Sequence, residues 1–210
     1  VSSSGHIELG KAIFNINESE AGLLFTVTLH FATALSTFIV FRKDMLELIK
    51  GIIQFKWNDE TKFTAFIVLS MIPAVLVGLF FKEQIDEFFN GHILLVSMML
   101  ILTGILLFLS DKLNSKEGIM NSRNALLLGF VQAIAILPGI SRSGSTIAVA
   151  VLLGINRERA ARFSFLMVLP LIFGAMAKEI MDYSSLNVSS SGSIFDLPVI
   201  LGFVAALLSG

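Results

Sequence analysis

Charge is missing from this chain in long runs. No Asp, Glu, Lys or Arg stands among the 21 residues between Glu20 and Arg42, the 19 between Lys62 and Lys82, or the 23 between Glu87 and Asp111. An α-helix rises about 1.5 Å per residue, so about 20 residues cross a hydrocarbon core of roughly 30 Å. Each run predicts a membrane-spanning helix, and their recurrence along the chain rules out a signal peptide as the cause. Composition agrees: 55 % of the residues are apolar and 15 % charged, against about a quarter charged in a soluble domain. That balance excludes a disordered chain and a nucleic-acid binder with a basic surface. The absence of cysteine excludes disulfides, thiolate zinc sites and a Cys nucleophile. The chain starts at Val1 and stops in the apolar run Leu207-Leu208-Ser209-Gly210, so both ends are expected to be cut from something longer.

The stretch from Asn124 to Gly154 is apolar but broken. Ala125 to Leu137 is followed by Pro138-Gly139-Ile140-Ser141-Arg142-Ser143-Gly144-Ser145, then by Thr146 to Gly154. A single helix here would be too long and would carry Pro-Gly and an Arg at its centre. Two half-length helices meeting at a loop inside the membrane are the alternative, tolerated where protein or a water-filled cavity covers the irregular backbone. Loop charges choose between them. With a re-entrant hairpin, 42–62, 111–123 and 155–162 share one side and carry 11 Lys/Arg, while Lys11, Lys82 and Lys178 lie opposite. With a full span the count is 9 against 5. The positive-inside rule favours the hairpin and puts 42–62 in the cytoplasm. Phe163–Ala177 then leads outward, Ser184–Ser193 forms an outer loop, and Phe195–Gly210 starts back in.

The hairpin tip has an echo. Val1-Ser2-Ser3-Ser4-Gly5-His6 and Ile140-Ser141-Arg142-Ser143-Gly144-Ser145 share the frame apolar-Ser-x-Ser-Gly-x. Each precedes a helix, at 21–41 and about 163–177, and the charge count runs these two in opposite directions. The expected fold is therefore an all-α polytopic membrane protein with two inverted-topology repeats, each carrying a re-entrant helical hairpin. It forms one integral membrane domain over 1–210. The first repeat spans about 1–81, a linking helix about 88–110 and the second repeat about 124–210.

The tips offer hydroxyls, glycine and helix-start amides, a ready site for an anion. His6 adds a side chain suited to proton transfer near neutral pH. Arg142 adds a planar fork that fits phosphate oxygens. An Arg between half-helices could instead cap carbonyls, but an ionisable group at membrane depth is costly and its default reading is functional. Serines in membrane helices often only bond backbone carbonyls, and a His near a chain end is often just polar surface. His30 and His92 read as structural, Pro73 and Pro170 as helix kinks, and the Met and Phe stripes as packing. Inverted repeats with a midplane site also suit a transporter or flippase for a phosphorylated lipid or other anion. A channel fits less well, since the tips hold one Arg and no charged ring.

Both tip motifs resemble the signatures of the bacterial undecaprenyl-diphosphatase, or bacitracin-resistance, family. Phe41-Arg42-Lys43-Asp44, Gly129 to Gln132 and Ala160-Ala161-Arg162-Phe163-Ser164-Phe165-Leu166 match as well, so the resemblance covers nearly the whole chain. It implies a multi-pass phosphatase of the bacterial inner membrane, with its site facing outward. The implied reaction removes the terminal phosphate of undecaprenyl diphosphate, the cell-wall lipid carrier, in competition with bacitracin. Its partners would be the polyprenyl diphosphate and membrane lipid, with no nucleic acid, and a homodimer is a candidate assembly. Residue by residue, Ser3 matches the nucleophile, His6 the acid/base and Arg142 the diphosphate-binding arginine. Ser2, Ser4, Gly5, Ser141, Ser143, Gly144 and Thr146 match residues lining the phosphate pocket. The family also implies a divalent cation such as magnesium or calcium, associated with two glutamates four residues apart, shortly upstream of the first motif. This sequence starts after them. Glu8 follows the motif and is no substitute, and the family continues with a further helix past Gly210.

Overall fold

The computed structural model describes residues 2, 5–6, 9–10, 13, 20–54, 56–81, 93–112, 118–185 and 197–209. Among them the regular structure is helical: α1 (Glu20–Val40), α2 (Arg42–Ile53), α3 (Asp59–Phe80), α4 (Ile93–Asp111), α5 (Ser122–Ile134), α6 (Arg142–Leu152), α7 (Arg157–Ser185) and α8 (Leu197–Ser209). The only pairing of strand type in the described residues is one parallel bridge between Gly118 and Ile155. The all-α expectation holds. The charge-free runs become α1, α3 and α4, and α3 and α4 are long and apolar enough to cross a membrane. Only 22 % and 17 % of their apolar windows are buried, unlike the core helices of a soluble protein. Val68, Ile72 and Leu79 of α3 and Ile101, Ile105 and Phe108 of α4 point their apolar side chains outward, a surface suited to lipid rather than water.

Local chemistry starts these helices. Asn58 caps α3 by accepting from the Thr61 amide at 2.8 Å, and Asp59 and Glu60 sit where the helix dipole favours negative charge. Asn121 caps α5 in the same way, accepting from the Asn124 amide at 2.9 Å.

The chain divides into two compact units, 1–16 with 50–167 and 17–49 with 168–210. In the second, α1 packs against α8, with the Phe31 and Phe203 rings 6.3 Å apart. Phe38 meets Phe173 edge to face at 6.4 Å. In the first, α5 packs on α3 and α6 on α4. Gly129 of α5 lies directly on the Ser70 backbone of α3.

Two connections differ from expectation. Residues 42–53, read as part of a charged loop, form the helix α2, in which Leu46, Ile49 and Ile53 line up on one side with Lys43, Glu47 and Lys50 elsewhere around the turn. The helix expected at about 163–177 is longer. It begins at Arg157, where the Asn156 side chain accepts from the Glu158 amide at 2.9 Å, and takes in Ser184 and Ser185. Charged residues in that first turn hid its start. The remainder of the serine-rich loop and His92 lie outside the described residues, as does the side chain of His30.

Candidate active site

The broken stretch folds as two short helices, α5 and α6, joined by a turn over 135–141. Its base is closed. The Gly118 amide donates to the Gly154 carbonyl at 3.0 Å. Arg157 grips the end of α4 beside it, donating to Asp111 Oδ1 at 2.9 Å and to the Asp111 carbonyl at 2.6 Å. Entry and exit of the stretch therefore lie together, at the end of α4 where Asp111 stands.

The tip is seated on α4 well away from that end. Gly139 has φ +91°, a conformation glycine adopts without a Cβ clash, and a Cβ there would run into the Val96 carbonyl. The Ser141 amide donates to Thr103 Oγ1 at 3.2 Å, while the Thr103 hydroxyl donates to the Met99 carbonyl at 2.9 Å. Thr103 is eight residues from Asp111, about 12 Å along the helix axis. Ser141 then caps α6, accepting from the Gly144 amide at 3.1 Å.

The first tip meets the second. A Cβ on Gly5 would stand 3.1 Å from the Gly139 Cα and 3.1 Å from Leu100 of α4. Two glycines thus let the backbones approach where side chains would hold them apart. The two tips are also locally alike. The His6 amide donates to the Ser2 carbonyl at 3.1 Å, and the Ser145 amide to the Ser141 carbonyl at 2.8 Å. Gly5 and Gly144 each lack a Cβ that would stand 2.9 Å from the Oγ of the serine three residues earlier. They differ in strain: Ser2 has φ +33°, where a non-glycine residue is uncommon.

The predicted residues fall into place unevenly. His6 is exposed, and its Nδ1–H donates to the Ser2 carbonyl at 2.9 Å. A carbonyl can only accept, so Nδ1 carries a proton, and Nε2 is the ring nitrogen not engaged in that bond. Ser2 is buried with no partner for its Oγ among the described residues. Arg142 is half-buried, and no hydrogen bond or ion pair links its guanidinium to a described residue. Ser143 lies beside it, half-buried. The Thr146 hydroxyl donates to the Arg142 carbonyl at 2.8 Å and accepts from Ser164 of α7, so it locks α6 to α7. Ser3, Ser4 and Glu8 lie outside the described residues.

Among the described residues no group of three or more His, Asp or Glu gathers to hold a metal ion. The described tip supplies one imidazole, hydroxyls and a guanidinium, a donor set that fits an anion and not a divalent cation.

Several polar groups of the site carry no role assigned from sequence. Thr103 and Ser164 position the tip, and Gln132 and Ser145 are buried with unmet side-chain atoms. In sequence Thr103, Gln132 and Ser164 are isolated polar residues among apolar neighbours, and Ser145 is one hydroxyl of a serine-rich tip; only the packing of one helix on another gives them meaning.

Comparison with known proteins gives the family. The chain is 54 % identical over 211 residues to an undecaprenyl-diphosphatase of Christiangramia forsetii, covering 100 % of this chain and 78 % of that protein. It is 43 % identical over 212 residues to an undecaprenyl-diphosphatase of Bacteroides fragilis, covering 100 % and 79 %. One from Methanococcus maripaludis is 38 % identical over 213 residues, covering 100 % and 80 %. The family described as bacitracin resistance protein BacA matches residues 1–210. Matched to that family over its whole length and to relatives this similar, the chain, whose two serine-glycine tips meet on one helix, belongs to the bacitracin resistance protein BacA family.

Proposed function

We propose that this protein is a membrane phosphatase that converts undecaprenyl diphosphate to undecaprenyl phosphate and inorganic phosphate, recycling the cell-wall lipid carrier and conferring bacitracin resistance. The observation that carries the reading is Arg142, a half-buried guanidinium without a described partner, three residues beyond Gly139 where two tips rich in hydroxyls and helix-start amides meet. A diphosphate supplies the missing negative charge, and a guanidinium can take two of its oxygens at once.

In this reading both tips belong to re-entrant hairpins of an inverted repeat, and the site opens to the outer side of the bacterial inner membrane. The seat of Ser141 about 12 Å along α4 from Asp111 supports a position near the middle of a roughly 30 Å core. The prenyl chain lies among the apolar helix faces. Arg142 and the α6 amides orient the terminal phosphate and offset charge as it moves to the bridging oxygen. Ser3 Oγ attacks the terminal phosphorus and its proton passes to His6 Nε2. The bond from phosphorus to the bridging oxygen breaks, and undecaprenyl phosphate departs. Water then displaces the serine, giving inorganic phosphate and restoring Ser3. Ser2, Ser4, Gly5, Ser141, Ser143, Gly144 and Thr146 shape the pocket. The resemblance also carries a magnesium or calcium ion, for which the described tip residues offer no ligand set, and no step here runs through it. A homodimer is part of the same reading.

The test is phosphate release from undecaprenyl diphosphate by the purified protein in detergent. Turnover is expected, with Ser3→Ala and His6→Ala each reducing it by several orders of magnitude and the double change costing no more than either alone. Near-normal turnover by Ser3→Ala would assign the attack to water. Movement of an intact diphosphate across a bilayer without phosphate release would overturn the phosphatase reading in favour of a transporter.

A further inference from the structure

Most buried hydroxyls around the tips are matched: Ser70 to the Ile67 carbonyl, Thr103 to Met99 and Thr146 to Arg142. Gln132 and Ser145 are not. Gln132 is 1 % exposed and Ser145 2 %, yet Gln132 Oε1 and Nε2 and Ser145 Oγ find no hydrogen-bond partner among the described residues. A carboxamide carries two N–H donors and an acceptor oxygen. Sealed from water and left unmet, it weakens the fold where an apolar side chain of the same size would not.

Both residues stand at the tip end of the hairpin. Gln132 is in the last turn of α5, two residues before its end at Ile134, on the buried stripe of Ala125, Leu128 and Gly129. Ser145 is in the first turn of α6, four residues beyond its cap at Ser141. Side chains turn by about 100° per residue. Since Gly144 faces Thr103 of α4 and Thr146 meets Ser164 of α7, Ser145 falls on the inner side between them. With Ser2, whose Oγ is also unmet, these groups all lie within about one helical turn of a tip.

We propose that Gln132 is a substrate-binding residue. Its Nε2 donates to an oxygen of the terminal phosphate held by Arg142, and the Ser145 hydroxyl is a second neutral donor in the same inner wall. The inference rests on the phosphatase reading above and extends its pocket to residues that the resemblance assigns no role. Neutral donors suit this depth. They complete the oxygen shell of a bound phosphate, and when the phosphate leaves they add no second buried cation beside Arg142 to hold it back.

Gln132→Met removes the amide at nearly constant volume. In the purified full-length chain, kcat/KM for a polyprenyl diphosphate is expected to fall at least tenfold. Tm without ligand should stay level or rise, and the Tm increase produced by inorganic phosphate should shrink. Gln132→Glu, equal in length but negative, should lose more activity than Gln132→Met. A parallel fall of Tm and activity in Gln132→Met, with the phosphate-induced increase intact, would make Gln132 a structural amide satisfied by internal water and overturn the proposal. So would kcat/KM within twofold of the unaltered chain. If the unaltered chain releases no phosphate from the lipid, the phosphatase reading fails by itself, and the phosphate-induced Tm increase in the two proteins still judges Gln132. Neither turnover nor such an increase in the unaltered chain would sink both.

Discussion

In the proposed reading Arg142 carries most of the phosphate-binding energy of the site. No acid stands between Glu117 and Glu158, so the second tip cannot neutralise it from its own sequence, and in the proposed reading the diphosphate does. Arg142→Lys keeps the charge but loses the fork. Turnover should fall at least about tenfold, corresponding to ~1.4 kcal/mol of transition-state stabilisation, and Arg142→Ala should be worse. Thermal unfolding without substrate should be unchanged or shifted upward in Arg142→Ala, because a half-buried charge without a described partner has been removed. Unfolding of Arg142→Ala alongside normal activity of Arg142→Lys would make the residue a structural pin. Arg142 was legible in sequence because an arginine inside an apolar run is conspicuous. Gln132 was not, since one amide in such a run has no spacing rule, and its unmet atoms emerge only once α5 is packed.

At the scale of elements, the hairpin depends on close backbone approach more than on side-chain packing. Gly139 combines a positive φ with a seat against the Val96 carbonyl, a backbone atom that cannot swing aside. Gly139→Ala is expected to cost about 1–3 kcal/mol, seen as a lower Tm with turnover falling as the tip lifts from α4. Gly104→Ala, in the same helix α4 but with nothing within 4 Å of the new methyl, should be neutral or stabilising by up to about 1 kcal/mol. Equal losses at both positions would refute the seating. The break at Pro138-Gly139 announced this hairpin, as the missing charges announced α3 and α4. The helix α2 went unread because its alternation of apolar and charged residues is short and resembles a loop's composition. The seat on Thr103 was hidden too, since a contact between residues 103 and 141 leaves no local pattern.

For the whole molecule, the closed base at Gly118 and Gly154 supports the proposed re-entrant hairpin, in which both ends face the same side of a membrane. In this Cys-free chain, a cysteine at Ser190, in the stretch outside the described residues, should react with an impermeant thiol reagent in cells with a permeable envelope. One at Asn156 should not. Equal labelling would mean that 124–154 crosses fully and would remove the inverted repeat. The meeting of Gly5 with Gly139 also has a consequence in time. The two glycines are separated by 134 residues of chain, and a ribosome adding about 5–20 residues per second delivers the second roughly 7–27 s after the first. Within that interval the spans α3 and α4 are made, and the first tip can meet Leu100 of α4 but not yet the second tip. Hydrolytic competence therefore arrives late and all at once, and a chain released before residue 139 is a set of membrane anchors without chemistry.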